Sequence, residues 1–193
     1  ISPKIGLLKV YLPGEMYDYE NSESKKVIDS LQRTFNAIET LRRTAAKPEA
    51  HEFDLAQLIK DILAEENKYK VNEITEGVQP CIIKSDKNIL SLALANGIRN
   101  AIESICMHSG TENDLTICWG ASVEENWVSI IDTGMGLADT AEAAFKIGNT
   151  NKQNHTGFGM AIIQQAVETL GGIVSLSNID SGGGKLDLRW GNF

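Results

Sequence analysis

Glycine is distributed unevenly along this chain, and the imbalance limits the folds that are open to it. Only three of the 17 glycines precede residue 96, in a part of the chain whose pattern is helical and charged. Farther on, glycines separate short apolar segments, where they mark turns and helix ends. The second part of the chain therefore predicts an α/β arrangement. Its main glycines are Gly134, Gly136, Gly148, Gly157, Gly159, Gly171, Gly172 and Gly182–Gly184.

Residues 52–193 carry the pattern of a layered domain. Asp54 and Asp86 are typical helix N-caps, and the helices that they start are predicted to end near Tyr69 and Met107. Further helices are predicted over 138–146 and 159–170, and strands at Cys81–Lys84, DLTICWGA, WVSIID, IVSLSN and KLDLRW. The predicted fold class is α/β, an α+β two-layer sandwich with a mixed sheet of about five strands and three helices on one face.

A helical hairpin is predicted to precede this domain. The helix over residues 21–46 has apolar residues at steps of three or four: Val27, Leu31, Phe35, Ile38 and Leu41. A shorter helix comes before it and ends at PGEMYDYE, while KPEAHEF is predicted to be a linker. Because one hairpin cannot bury both of its apolar faces, residues 1–47 favour a dimeric four-helix bundle. Packing of the hairpin on the second domain, residues 52–193, is the alternative.

Charge and composition exclude some function classes. A net charge of −8 and a pI near 4.9 make a nucleic-acid surface a poor candidate, although a local pocket can still bind a small anion. No apolar run approaches the roughly 18 residues of a membrane span, and no signal peptide is visible. Cys81, Cys106 and Cys118 form no CxxC pair, which favours reduced, buried thiols. We expect a cytoplasmic fragment of a longer protein, in which any membrane anchor lies upstream.

The predicted helix that follows Asp86 has an unusual polar stripe. Leu94, Ile98 and Ile105 form its apolar side, and Asn96 and Asn100 lie opposite, four residues apart. Asparagine is a poor helix former, because its side chain competes for backbone hydrogen bonds. Two amides that face water would explain the stripe. A binding site would explain it as well.

Two glycine motifs follow in sequence order. Asp132 ends a buried-looking strand in IIDTGMGLAD, where its carboxylate could accept from an exocyclic amine while glycines let the backbone approach a flat ring. In NHTGFGMAII, a Gly-x-Gly opens a helix, and the N–H groups of a helix N-terminus attract phosphate. Each motif alone is weak, since a capped turn and a plain helix start explain them about as well. The polar loop before the second motif carries Lys152 and hydroxyl groups that could cover phosphates.

Together and in this order, the three features resemble the boxes of the Bergerat-fold ATPases, the superfamily of gyrase, the Hsp90 chaperones, sensor histidine kinases and the MutL proteins. The segments that carry the resemblance are NGIRNAIES for the N box, DTGMGL for the G1 box, FKIGNTNK for the F box and lid, and TGFGMAI for the G2 box. The resemblance covers residues 52–193 almost continuously, and the sensor histidine kinases are the most similar branch.

The resemblance implies a role for each candidate residue. Asn100 would hold Mg²⁺, which carries the ATP phosphates, with Asn96 beside it in the catalytic centre and in contact with the nucleotide. Asp132 would accept a hydrogen bond from adenine N6. The glycine-rich boxes and the lid would supply the remaining nucleotide contacts: Gly134, Gly136, Thr150, Lys152, Gly157, Phe158 and Gly159.

Asn96 separates the branches of this superfamily. The hydrolytic members carry Glu four residues before the metal-binding Asn, where it activates water. An amide has no useful basicity, so Asn96 argues against an efficient ATPase. It fits a kinase whose nucleophile is a neutral imidazole, since that group already has a lone pair. Transfer then depends on positioning and charge neutralisation.

The expected phosphoacceptor lies outside this sequence. SPKIGLLKVYL resembles the segment that follows the acceptor His of such kinases, so that His would precede Ile1. His51, His108 and His155 are expected to be ordinary surface residues. Three departures from the family pattern stand out, and the first is His155, which replaces a common first glycine of the G2 box. Glu103 occupies a position where many kinases have Lys or Arg, and Lys185 is expected at the place of a frequent Thr near adenine.

The sequence thus predicts the ATP-binding part of a two-component sensor histidine kinase, with a remnant of its dimerisation hairpin. The whole protein would transfer the γ-phosphoryl of ATP to its His, for relay to a response-regulator receiver domain. The expected partners are ATP, Mg²⁺, the receiver domain and a second copy of the chain. The alternatives are a degenerate module that binds ATP or dimerises without transfer, and a Ser/Thr-directed anti-sigma kinase, against which the hairpin argues.

Overall fold

The computed structural model describes residues 2–16, 18–108, 114–137, 140–147, 157–180 and 182–192. The helices are α1 (Ser2–Glu15), α2 (Glu23–Thr44), α3 (Leu55–Glu66), α4 (Lys87–Met107), α5 (Ala141–Ala144) and α6 (Gly159–Thr169), with a 3₁₀ turn at Tyr19–Asn21. The strands are β1 (His51–Asp54), β2 (Asn72–Gly77), β3 (Ile82–Ser85), β4 (Asp114–Ala121), β5 (Glu125–Asp132), β6 (Ile173–Asn178) and β7 (Gly184–Gly191).

A mixed five-stranded sheet forms one layer of the fold. Its order is β2-β4-β5-β7-β6, in which β2 runs parallel to β4 and the other pairs are antiparallel. The predicted sheet of about five strands under helices is confirmed, but its membership differs. The strand expected at Cys81–Lys84 is β3, which pairs with β1 in a separate two-stranded sheet. The fifth strand is β2, which the sequence did not indicate.

The hydrophobic core lies between this sheet and helices α3, α4 and α6. Alternate residues of β4 point into it, and Leu115, Ile117 and Trp119 are almost fully buried. Helix α4 lies close against the sheet at Gly97. A Cβ at that position would be 2.8 Å from Ile130 Cδ1 and 2.9 Å from Leu186 Cδ2. Glycine at this position therefore lets α4 lie close to the sheet, whereas any larger residue would push the helix and the sheet apart.

Two aspartates start helices and also fix a neighbouring segment of chain. Asp54 Oδ1 accepts from the N–H of Ala56 in the first turn of α3, and from the N–H of Cys81. Asp86 Oδ1 accepts from the N–H groups of Asn88 and Ile89 at the start of α4. Its second oxygen accepts from Glu49 N–H at 2.8 Å. Both predicted caps are confirmed.

The N-terminal helices form the predicted hairpin. Ile5, Tyr19 and Ile28 make a small buried cluster between them, and Lys9 pairs with Asp29. Helix α1 continues through Pro13 to Glu15, so the expected break at PGEMYDYE comes later than predicted. Helix α2 packs against α6 and α4 within the chain, and the dimeric bundle stays a prediction. Other apolar residues of α2 remain exposed, namely Val27, Leu31 and Ile38.

Two smaller expectations are corrected by the structure. The segment KPEAHEF is only partly a linker, because residues 51–54 form β1 against β3. Cys81 is buried as expected, and burial raises the pKa of its thiol, with a further rise from Asp54. Cys118 is half-buried, whereas Cys106 is exposed near the end of α4. Among the described residues, no helix has the length and apolar character to cross a membrane.

Loss of the Asp86 carboxylate is expected to weaken the whole domain. Asp86→Ala removes the α4 cap and the acceptor for Glu49 N–H, which should cost about 1–2 kcal/mol of unfolding free energy in urea denaturation. Asp86→Asn is the matched control, because its remaining oxygen can still cap α4, and it should lose less. An Asp86→Ala variant as stable as the wild type would contradict this account.

Candidate functional site

The two asparagines of α4 lie beside the first residue of α6. A Cβ at Gly159 would be 3.3 Å from Asn100 Nδ2, 3.5 Å from Asn100 Oδ1 and 3.6 Å from Asn96 Oδ1. Residues 96 and 100 are neighbours on one helix face, one turn apart. The fold therefore brings the predicted amide pair to the N-terminus of the helix that the Gly-x-Gly motif opens.

Each amide has its nitrogen engaged by the protein. Asn96 Nδ2 donates to the carbonyl of Leu92 at 2.8 Å, one turn back in α4. Asn100 Nδ2 contacts Met160 Sδ of α6 at 3.4 Å. Because the nitrogen and the oxygen of an amide point in different directions, these contacts orient both oxygens. Both side chains are half-buried, at the rim of the core.

Asp132 lies at the end of β5, where the sheet meets the glycine loops. Its register partners are Leu115 of β4 and Gly184 of β7. The residue is 8% exposed, and its Oδ1 accepts from Gly134 N–H at 2.9 Å. A Cβ at Gly184 would be 3.0 Å from Asp132 Oδ2. The backbone that flanks this carboxylate therefore carries no side chain at Gly134 or Gly184.

Residues 133–137 form a loop that two polar side chains hold from either side. Ser104 Oγ of α4 accepts from Met135 N–H at 3.1 Å, and Asn178 Oδ1 of β6 accepts from Leu137 N–H at 2.6 Å. Gly136 has φ +66°, a conformation that favours glycine. No pattern in the sequence points to Ser104 or Asn178, because both act through contacts between distant segments.

The N-terminus of α6 lies beside the two asparagines. Gly157 has φ +68° and Phe158 is the N-cap. The first N–H groups of an α-helix have no partner inside the helix, and the helix dipole is positive at this end. The predicted lid contacts Thr150 and Lys152 lie outside the described residues, as does His155. His51 and His108 are exposed, in agreement with expectation.

Lys185 does not occupy the position that the sequence suggested. It pairs with Ile131 and Ser177, and its Nζ lies 2.8 Å from Asp187 Oδ2. It alternates with the buried Leu186, so it lies on the sheet face away from the helices. Gly184 is the residue that faces Asp132. The expectation was wrong by one residue, which in a strand reverses the face.

An ion pair holds the opposite flank of α4. Arg99 donates through Nε to Glu66 Oε2 at 2.9 Å and through Nη2 to Oε1, which ties α4 to the end of α3. The hydrogen bond to Glu66 raises the pKa of the Arg99 guanidinium, and the charges of Glu66 and Glu103 add to the rise. The positive charge of Arg99, the residue before Asn100, is therefore paired with Glu66. The half-buried Glu103 is a second negative charge that acts on it.

These residues form one polar region, which we call the cleft. The loop that follows Asp132 contacts Ser104 of α4, Asn96 and Asn100 lie earlier on the same helix, and the first residue of α6 lies beside those two amides. An acceptor for an amine, hard oxygen ligands for a cation and amide donors for an anion suit a ligand with all three parts.

Comparisons with known proteins cover this region. A family model described as "Histidine kinase-, DNA gyrase B-, and HSP90-like ATPase" matches residues 85–190, more than half of the chain. The sensor histidine kinase ZraS of Escherichia coli O157:H7 is 33% identical over 107 residues, 55% of this chain and 22% of ZraS. The sensor protein CreC of Escherichia coli K12 is 28% identical over 167 residues, 79% of this chain and 34% of CreC. The chain thus spans a fifth to a third of these curated relatives.

Solved structures of similar fold include the catalytic domain of histidine kinase ThkA, with a TM-score of 0.64 and 22% identity over 75% of this chain and 96% of that one. Full-length ShkA in complex with AMPPNP has a TM-score of 0.70 and 17% identity over 86% of this chain and 37% of ShkA. At these identities the likeness concerns the fold.

Removal of the Asn178 side chain is expected to loosen the loop at residues 133–137. Asn178→Ala leaves the Leu137 N–H without its acceptor, so hydrogen exchange at that amide should accelerate by about five- to tenfold, which matches the loss of one net hydrogen bond. Ser177→Ala, at the neighbouring exposed position of β6, should leave the exchange rate unchanged. Equal rates in Asn178→Ala and the wild type would show that the contact does not order the loop.

Proposed function

Since the chain belongs to the family of histidine kinase-, DNA gyrase B- and HSP90-like ATPases, we propose that residues 52–193 are the ATP-binding catalytic domain of a sensor histidine kinase. Residues 1–47 are the remnant of its dimerisation hairpin. The observation that carries the proposal is that Asn96 and Asn100 meet the start of α6, while the loop that follows Asp132 contacts Ser104, one turn farther along α4. Family membership confirms the resemblance drawn from the sequence boxes.

Asp132 is proposed to recognise the base. One of its oxygens already accepts from Gly134 N–H, and the other lies beside Gly184. A buried carboxylate in this position accepts a hydrogen bond from the adenine N6 amine. Gly134 and Gly136 let the loop backbone lie along the ring, as the sequence motif predicts. A base with a carbonyl in place of this amine would put one hydrogen-bond acceptor against another, the Asp132 carboxylate, and would bind poorly.

The two amide oxygens suit Mg²⁺ better than a metal whose ligands all come from the protein. No group of three or more His, Cys, Asp or Glu residues that could hold a metal occurs among the described residues. Mg²⁺ commonly takes few protein oxygens and completes its shell with water and substrate phosphates. Asn100 would hold it, with Asn96 beside it. When bound, Mg²⁺ neutralises charge on the phosphates.

The start of α6 is proposed to seat the phosphates. Gly157, Phe158 and Gly159 form the start of α6, which lies beside the amide pair, and the unpaired N–H groups and dipole of a helix N-terminus favour negative charge. Thr150 and Lys152 belong to the proposed lid over the phosphates. The ShkA structure, described as a complex with AMPPNP, supports a nucleotide site in this fold.

The proposed reaction is transfer of the γ-phosphoryl group to a histidine upstream of Ile1. The imidazole lone pair forms the N–P bond, the bond from γ-phosphorus to the bridging oxygen breaks, and ADP leaves with that electron pair. Asn96 cannot deprotonate water, so the cleft favours transfer to imidazole over hydrolysis. Named relatives such as ZraS are sensor histidine kinases, which supports this assignment.

The proposed setting is a cytoplasmic homodimer that phosphorylates a response-regulator receiver domain. The exposed apolar residues Val27, Leu31 and Ile38 of α2 support association of two hairpins into a four-helix bundle.

Asn100→Ala is expected to remove the Mg²⁺-dependent part of nucleotide binding. Calorimetric titration with ATP should show tighter binding to the wild type with Mg²⁺ than with EDTA, and this gain should fall by at least about tenfold in the variant, since a metal ligand is lost. Asn88→Ala, at an exposed position in the first turn of α4, is the matched control and should behave as the wild type. An undiminished gain in Asn100→Ala would refute the assigned metal ligand.

Phosphotransfer is tested with the parent chain extended upstream to include its first histidine. Incubation with γ-labelled ATP and Mg²⁺ should give an acid-labile, alkali-stable label, and replacement of that histidine by Ala should abolish it. ATP binding without labelling would identify a degenerate module. An acid-stable label on Ser or Thr would identify a kinase of the anti-sigma type.

A further inference from the structure

Met160 is the second residue of α6 and connects that helix to the amide of Asn100. Its side chain is partly buried against the core, and its Sδ lies 3.4 Å from Asn100 Nδ2. A thioether sulfur is an acceptor only, so the contact requires the amide nitrogen to point toward α6.

The orientation of the Asn100 amide decides whether it can bind a cation. An asparagine side chain has nearly the same shape when its oxygen and nitrogen are exchanged, but only the oxygen can bind Mg²⁺. Asn96 is oriented within its own helix, because its Nδ2 donates to Leu92 O. Asn100 is oriented by a contact from a different helix. The two amides therefore depend on different parts of the structure.

We propose that Met160 is a positioning residue for Asn100: its sulfur accepts from Nδ2 and so keeps Oδ1 available to the Mg²⁺ that accompanies the nucleotide. The inference rests on the proposed function, because it assigns the orientation of the metal ligand in that same site. Gly159 strengthens the link, since its missing side chain lets the start of α6 approach within 3.3 Å of Asn100 Nδ2, as measured from an ideal Cβ position.

The sulfur contact is weak, so its loss should reduce metal binding without abolishing it. Hydrogen bonds to thioether sulfur lie at the low end of the range for neutral pairs. When the contact is removed, the amide also populates the orientation with nitrogen toward the metal, and the share of binding-competent protein falls. A decrease of about threefold in the Mg²⁺-dependent gain is expected.

The test compares Met160→Leu with Met107→Leu. Leucine keeps the apolar volume at position 160 and removes the acceptor, while Met107 lies exposed at the end of α4. ATP affinity is measured by calorimetry with Mg²⁺ and with EDTA. In Met160→Leu, the ATP affinity in EDTA should be unchanged, and the increase in affinity caused by Mg²⁺ should be about threefold smaller than in the wild type. Met107→Leu should match the wild type in both quantities.

A second measurement needs no nucleotide. In ¹⁵N-labelled protein, the side-chain amide signals of Asn100 should shift in Met160→Leu, those of Asn96 should stay in place, and Met107→Leu should move neither. Unchanged Asn100 signals overturn the proposal. So does an equal loss of affinity with and without Mg²⁺, because that result marks a packing role only. A wild type that gains nothing from Mg²⁺ instead overturns the proposed function itself.

Discussion

The close packing of α4 on the sheet at Gly97 is the contact on which the rest of the cleft depends. The missing side chain brings the helix to within van der Waals distance of Ile130 and Leu186. Successive residues of an α-helix are rotated by about 100°, so Asn96 and Asn100 both fall on the same flank of this contact line, the flank beside α6. The contact at Gly97 therefore sets the rotation of α4 about its axis, and with it the placement of both amides on the side that faces α6. A larger residue at position 97 would lift the helix and carry the amides away from Gly159 and Met160.

The sequence predicted well those features that depend on neighbours along the chain. The caps at Asp54 and Asp86, the length of α4 and the start of α6 at Gly159 agree with the structure. Each follows from local chemistry, namely a carboxylate that accepts from first-turn amides or glycines that open a helix. The candidate site residues could be chosen from the sequence for the same reason, because each belongs to a short local motif.

Features that depend on long-range packing were missed. Strand β2 is exposed along its whole length and carries Glu73 and Glu76, so it shows neither an apolar run nor alternation. It becomes a strand only because β4 offers it a backbone partner. Ser104, Asn178 and Met160 contact residues between 31 and 60 positions away, and nothing in their own surroundings predicts this. For Lys185, the error was a shift by one position in a strand, which exchanges the two faces of the sheet.

The second oxygen of Asp86 has a mechanical consequence. It holds the backbone of Glu49, so the chain that leaves the hairpin is anchored to the start of α4. Only residues 45–48 lie between the end of α2 and this anchor, and the five residue steps from Thr44 to Glu49 span at most about 18 Å. This short connection limits motion. If α2 moved away from α6, the C-terminal end of α2 would stay within that distance of the start of α4, the helix that carries both asparagines.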